Sequence, residues 1–492
     1  MKTKVNTHGR ACARHSATYA ALLIFLAAAP GLSAAAQDRG PKTEISLREC
    51  QEMALENNPY VLNSSLDILA AQARKREAVA EYFPKVSVNA FVFHAFDPLL
   101  EIGVRDIFGT NDFSNNLESI LAGLGGEMGF DPVYSTLKHG VSATVSAIQP
   151  VFAGGRIVNG NKLAALGLEA ARLKHEISLR TTSEDVEKGY WQVVSLEEKM
   201  RTLEQMQSLV DTLYRDVHAA VSAGLATEND LLQVKLQKNR IRSGKIQAKN
   251  GIRLAKMNLF NSIGQPYNPY STIRNDSIPY IDDIILSDRL EELEAPESCY
   301  RPEEEIAAGQ AETQLLDLSV RSKKIEKKMT VGEAMPQIGV GAAYGYGNLI
   351  DKGQMNGAVF ATVQIPISDW GKTARRIQRY DYQIEMAENE RDYLNAQIIL
   401  QVRKLWMDLT ASWDQLQVAK ESVETARASV RQLEAYYKAG MSPLSDLLQA
   451  QTQLQQCSDE YIDQCISYRT TLQEYLGKAG FTAAKESGET AQ

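Results

Sequence analysis

The sequence predicts an α+β membrane protein written as an internal two-fold repeat, and three observations carry that expectation. The 492-residue chain matches itself at an offset of 216 residues, and each copy holds two alternating stretches of membrane-strand length. Each copy then runs through 63 residues of helical spacing with no break, at 160–222 and 376–438. At 1.5 Å per residue such a helix is about 95 Å long. No ordinary globular domain holds that. Composition is otherwise that of a folded protein, with 44% hydrophobic and 23% charged residues, which excludes collagen-like, disordered and disulfide-dense classes.

The N-terminus reads as a Sec-type secretory signal, residues 1–36. A basic start is followed by an apolar run from Ala20 to Ala29, a Pro30-Gly31 break and small residues at Ala34-Ala35-Ala36. The run is too short and too broken for a membrane anchor. No cysteine follows it closely, so lipid attachment is not expected. The formal charge is −8, and the leader holds Lys2, Lys4, Arg10 and Arg14 with no acid, so the mature chain carries −12. Such a chain repels nucleic acid. Beyond Ala36 no apolar stretch reaches helical spanning length, so a membrane crossing requires strands.

The repeat is exact in spacing. Gln149-Pro150-Val151 falls on Ile365-Pro366-Ile367, Gly155-Arg156 on Gly371-Lys372, and Ala223-Gly224-Leu225 on Ala439-Gly440-Met441. Asp230-Leu231-Leu232-Gln233 falls on Asp446-Leu447-Leu448-Gln449 without a gap. Upstream, Pro84 matches Pro336 at an offset of 252, so the first copy (37–260) carries 36 more residues between its strands than the second (300–480). Duplication accounts for this pattern.

Each copy opens with a helix, from about Tyr60 to Phe83 and from Glu303 to Ala334, stopped by proline. Strands follow at 86–96 and 141–149, and at 337–346 and 357–365. In the second of these, Val141, Ala143, Val145 and Ala147 alternate with Ser142, Thr144 and Ser146, a period of two. Turns at Gly154-Gly155 and Gly371 lead into the long helices. Apolar residues there, such as Val193, Leu203, Val210, Val402 and Leu409, recur at three and four. Gly224 and Gly440 end them in tight turns. Return helices occupy 228–260 and 444–476, and each pairs in length with an entry helix to match one long helix. The polar segment 261–299 connects the copies as an equatorial belt, and 481–492 is a tail. Four strands cannot close around a lumen, so closure needs several copies, with three giving twelve strands and four giving sixteen.

Ser46-Leu47-Arg48-Glu49-Cys50 through Asn57-Asn58-Pro59, the Pro84 strand start, Gln149-Pro150-Val151-Phe152 with Gly154-Gly155-Arg156, Tyr190-Trp191 and the two tips resemble the TolC-like outer membrane efflux protein family. The resemblance spans nearly all of the mature chain. It implies a homotrimer: a 12-stranded antiparallel β-barrel in the outer membrane of a Gram-negative bacterium, continued by a helical coiled-coil tunnel across the periplasm. It further implies a passive exit duct fed by an inner-membrane pump of RND, ABC or MFS type through a periplasmic adaptor protein. Implied site residues are an aperture made by Asp446, Asp230 and Tyr437, with Gln449 and Gln233 where some members hold a second acid, and Ser442 where a latch arginine can occur. Adaptor contact is implied at Gly224, Leu225, Gly440 and Met441.

The bland alternatives are helix capping by the two aspartates and turn geometry at the tips. Aromatic residues near strand ends, including Phe91, Phe93, Phe96, Tyr344, Tyr346, Phe152 and Trp370, suit the girdles of a barrel in outer-membrane lipid. The 94–140 insert is long enough to be functional or partly structured. His94 and His139 flank it, two ligands without a third, so no metal is expected. Cys50, Cys299, Cys457 and Cys465 allow three pairings or none. No HExxH, P-loop or GxSxG motif occurs, so no catalysis and no cofactor are expected. The competing reading is a secreted coiled-coil scaffold without channel activity, and the substrate is not written in the chain.

Overall fold

A computed structural model of the chain describes residues 43–480 apart from 97–99, 103–105, 108, 111, 129–133, 137–138, 271–277, 291–292 and 349–352. The expected secretory signal at 1–36 and the tail at 481–492 lie outside the described residues. Short strand β1 (Thr43–Ile45) and helices α1 (Leu47–Asn57) and α2 (Pro59–Ala80) precede strand β2 (Lys85–His94). The insert contains the hairpin β3 (Leu100–Ile102) and β4 (Tyr134–Thr136) and helix α3 (Asp112–Met128). Strand β5 (His139–Ala153), long helix α4 (Arg156–Ser222) and return helix α5 (Glu228–Ser262) complete the first copy. Strand β6 (Ile284–Leu286) sits in the connection. The second copy runs α6 (Glu303–Gly309), α7 (Ala311–Glu333), β7 (Gln337–Gly347), β8 (Gln354–Gln364), α8 (Lys372–Lys438) and α9 (Leu444–Ala479).

Several boundaries differ from the sequence reading for local reasons. Strand β2 ends at His94, leaving Phe96 outside it, while β5 runs on to Ala153 through a bulge between Pro150 and Phe152. Both long helices start four residues early, at Arg156 and Lys372, each after a left-handed glycine, Gly155 at φ 76° and Gly371 at φ 80°. The entry helix of the second copy is interrupted at Gln310, whose extended backbone separates α6 from α7.

The four long strands form one antiparallel sheet in the order β2-β5-β7-β8. Register decides its chemistry. Val86 pairs with Ala147, which pairs with Ala342, which pairs with Val359; Val88, Val145, Tyr344 and Gly357 make the next row. One face is therefore apolar across all four strands, and the other carries Ser87, Asn89, Thr144, Ser146 and Asn356 among small residues and the rings of Phe91, Phe93 and Phe360, so Phe91 and Phe93 lie on the opposite face from Tyr344 and Tyr346. Ser87 and Ser146 hydrogen bond across it at 3.1 Å. Gly341 admits the ring of its cross-strand partner Phe360, which would stand 2.6 Å from an added Cβ.

The helices lie in four rows: α2 and α5 end to end, α4, then α7 and α9 end to end, then α8. Each end-to-end joint is closed by hydrogen bonds to carbonyls that a helix terminus leaves unpaired. Asn58 Nδ2 donates to the Ser262 carbonyl at 2.7 Å, and Gln310 Nε2 to the Lys478 carbonyl at 2.7 Å. Arg180 of α4 holds Gln310 from the side, Nη1 donating to Oε1 at 2.8 Å. The connection packs here too. β1 pairs in parallel with β6 over a core of Tyr190, Trp191, Leu259, Phe260 and Ile284, and a second core gathers Leu405, Leu409, Tyr468 and Tyr475. Asp288 accepts from the Tyr190 hydroxyl at 2.6 Å and from the Leu47 backbone N–H at 2.8 Å, fixing the start of α1. Cys50, Cys299, Cys457 and Cys465 are all free thiols, so none of the possible pairings forms. Burial pushes the Cys50 thiol up to about 12.

At the rim of this core Glu187 is buried, accepting from Trp191 Nε1 at 3.3 Å while Arg469 lies over the Trp191 ring. Burial is the largest influence and holds its carboxyl above the ordinary carboxylate range of about 4.5, against the opposing pull of the Trp191 bond. A carboxyl that ionises less readily folded than unfolded contributes stability at low pH, and that contribution is lost as pH rises through the folded value. Glu187→Gln keeps the acceptor and removes the charge. Its melting temperature is expected to exceed that of the parent at pH 7.5 and to converge with it near pH 4; a difference that does not change with pH would remove burial as the cause.

Candidate functional site

At the end of the helical rows far from the sheet, two αα hairpins share one apolar cluster that includes Val217, Val234, Val430, Leu444 and Leu447. Each long helix ends in the same backbone device. Leu225 N–H donates to the Ala220 carbonyl and Gly224 N–H to Val221; Met441 N–H donates to Tyr436 and Gly440 N–H to Tyr437. These are Schellman closures, and they require a left-handed residue, met by Gly224 and Gly440, both at φ 72°. The residues just beyond are thrust outward: Leu225 is 84% and Met441 68% exposed.

Asp230 occupies the third position of α5 in a reciprocal capping box. Thr227 Oγ1 accepts from Asp230 N–H at 3.2 Å, and Asp230 Oδ2 accepts from Thr227 N–H at 3.0 Å. Asp446 is more exposed and accepts weakly from the hydroxyls of Ser442 at 3.3 Å and Ser445 at 3.2 Å. The sequence spacing therefore placed two like carboxylates in like helical positions, but their surroundings differ. The T-x-x-D pattern at Thr227 is the signal that distinguishes Asp230 as a cap. Tyr437 is brought toward Asp230 across the two hairpins. Burial raises its hydroxyl above the ordinary range, with the charges of Asp230 and Asp216 adding to the effect. Gln233 and Gln449 stand one turn further along the return helices, and neither hydrogen bonds to Asp230 or Asp446 among the described residues.

The opposite end presents the sheet. Its apolar face is bare within the chain: Val88 is 70%, Val92 71% and Val359 87% exposed. Strands β2 and β8 are its two unpaired edges. The turn glycines close this end onto the helices, since Gly154, at φ 62°, packs backbone to backbone against Gly332, where an added Cβ would stand 2.1 Å from the Gly332 carbonyl oxygen. The equivalent of Gly154 in the second copy is Trp370, a non-glycine at φ 56° and 97% exposed. His94 and His139 are register partners at the far rim of the sheet. Among the described residues no cluster of three or more metal-ligating side chains exists, and no helix is long and apolar enough to cross a membrane.

The chain thus presents a sheet with one apolar face and two open edges, set on helical rows about 100 Å long. Residues 329–476 match the family model described as outer membrane efflux protein, so the second repeat carries that domain. The fold is that of outer membrane efflux channels. It is similar to the outer membrane protein VceC of Vibrio cholerae (15% identity, TM-score 0.65, covering 88% of this chain and 96% of that one). It is likewise similar to the CmeC outer membrane channel of Campylobacter jejuni (13%, 0.66, 88% and 85%) and to the open state of the MtrE outer membrane channel of Neisseria gonorrhoeae (15%, 0.63, 89% and 89%). None of the curated proteins matches this chain in sequence.

The two aspartates separate experimentally. Thr227→Ala breaks the capping box and is expected to cost about 1 kcal/mol of tip stability, read as faster amide exchange at the start of α5. Asp446→Ala is expected to leave amide exchange at the start of α9 unchanged; an acceleration there equal to that of Thr227→Ala in α5 would show that Asp446 too serves as a cap.

Proposed function

We propose that the protein is the passive exit duct of a tripartite efflux or type I secretion system, a homotrimer in the outer membrane of a Gram-negative bacterium with its helical rows in the periplasm. The observation that carries this reading is the pairing of an apolar sheet face with two unpaired sheet edges. Hydrocarbon accepts the first and forbids the second, so neighbouring copies must supply the missing ladders. Three copies give the twelve strands of a closed barrel, in which β2 of one copy pairs with β8 of the next.

The helical layer repeats the demand. The outermost rows are α2 with α5 on one side and α8 on the other, and both bear uncovered apolar stripes. On α8, Met386, Tyr393, Leu400 and Met407 recur every seven residues at 58–68% exposure. On the other edge Leu62, Leu66 and Leu69 on α2 and Leu232 and Leu236 on α5 are 46–62% exposed. A heptad stripe of this kind is what one helix offers another. The same edges thus need covering in the sheet and in the tunnel, which favours a closed ring over the soluble scaffold.

In this assembly the polar sheet face lines the lumen, and Asp446, Asp230 and Tyr437 stand at the periplasmic mouth. Leu225 and Met441 project beyond that mouth, where an adaptor fed by an RND, ABC or MFS pump would dock. The duct holds no cofactor and performs no chemistry; transport energy comes from the inner-membrane partner.

Extraction in mild detergent is expected to yield a trimer that conducts in a planar bilayer. Leu400→Asp places a charge in the heptad stripe and is expected to give monomers. A parent that is monomeric and soluble without detergent would overturn the duct in favour of the scaffold. Asp446→Ala in the trimer is expected to lower cation preference, and unchanged conductance and selectivity would remove Asp446 from the aperture. Leu225→Glu and Met441→Glu are expected to abolish adaptor capture while the trimer persists; retained capture would remove the docking role.

A further inference from the structure

Where the sheet meets the helices, the sign of the chain's charge reverses. Overall it has 53 Lys and Arg against 61 Asp and Glu, yet the four stretches 74–85, 156–162, 321–333 and 369–379 hold fifteen basic residues and five acidic ones. These stretches are the helix turns that adjoin the four strand ends on the helical side of the sheet. All four rows contribute, so the surplus forms a collar at one level of the wall.

Internal ion pairs do not consume it. Lys85, Lys323, Lys324, Lys327 and Arg376 reach carboxylates within 4 Å. The other ten, among them Arg74, Lys75, Arg76, Arg156, Lys372 and Arg375, form no ion pair among the described residues, and these six are all exposed. Large apolar side chains stand bare in the intervening turns and at the end of β5: Trp370 is 97%, Ile367 95%, Phe83 62% and Val151 61% exposed. Trp370 holds this position from a left-handed backbone, a conformation that disfavours any residue but glycine.

An indole and aliphatic groups flanked by uncompensated cations, continuous with a bare apolar sheet face, match a bilayer boundary, with hydrocarbon on one side and headgroups on the other. The headgroup layer is about 5–8 Å deep on each side of the hydrocarbon. Arg76 lies four residues before the end of α2 at Ala80, about 6 Å at helical rise, and a long side chain there extends toward that layer. Zwitterionic headgroups offer such a collar no net charge to neutralise; anionic ones do.

We propose that this basic collar binds anionic phospholipid headgroups in the leaflet on the helical side of the sheet, with Trp370 and Ile367 anchoring the boundary. The proposal rests on the membrane-spanning reading of the sheet. The test reconstitutes the full-length trimer into nanodiscs of equal phosphatidylglycerol and phosphatidylethanolamine, re-extracts it, and measures co-purifying lipid by mass spectrometry at low and high salt.

Phosphatidylglycerol is expected to be enriched roughly tenfold in low salt, and the enrichment should fall in 0.5 M salt as screening shortens the reach of the charges. The variant Lys75→Gln, Arg76→Gln, Lys372→Gln, Arg375→Gln is expected to insert as well as the parent and to lose the enrichment. Trp370→Ala is expected to reduce retention of both lipids equally. Equal retention of the two lipids by an inserted parent, or unaltered enrichment in the quadruple variant, overturns the collar alone. A parent that fails to insert into phosphatidylcholine nanodiscs overturns the membrane reading and the collar with it.

Discussion

A helix of 67 residues cannot stand alone in water, because its apolar stripe must be covered along its whole length. The rest of this structure follows from how α4 and α8 are covered. Neither has a partner of equal length in the chain. Each is flanked instead by two shorter helices placed end to end, and every such joint creates a set of unpaired carbonyls and N–H groups at mid-length. Asn58 and Gln310 close the two joints with the same chemistry, an amide donating to the last carbonyls of the helix below. The connection between repeats, the β1–β6 pair and the two aromatic cores collect at that level because the joints are the weak points of the rows.

Stacking rows in this way determines which surfaces remain uncovered. With α4 and the α7–α9 row in the interior of the layer, the outer flanks of α8 and of the α2–α5 row are left bare, directly continuing the edges β8 and β2 of the sheet. Sheet and helices therefore ask for the same neighbour at the same two sides. Duplication explains this economy: each repeat contributes two strands and two rows, so strand number and row number match within the chain.

The duplicated sites have diverged in their side-chain contacts while retaining backbone geometry. Gly224 and Gly440 make identical closures, but Asp230 is tied into a capping box and Asp446 is held only by two serine hydroxyls. At the strand ends the left-handed position is glycine in one repeat, where Gly332 approaches too closely for a side chain, and tryptophan in the other, where the space is open. A repeat thus keeps the conformation and releases the side chain.

The repeat itself, the long helices, the strand lengths and the tip glycines were legible in the chain because each is a local pattern: spacing, periodicity, and residues whose backbone preferences act over a few positions. The pairing of Thr227 with Asp230 was equally local and was there to be read. The sequence could not place the break at Gln310, since that residue is extended only because Arg180 and Lys478, 130 and 168 residues away, hold it. Nor could it show that four separate alternations fall in one register, which makes a face apolar from edge to edge, or that basic turns scattered over some 300 residues share one level. Those properties belong to contacts between distant segments, and only the folded arrangement decides them.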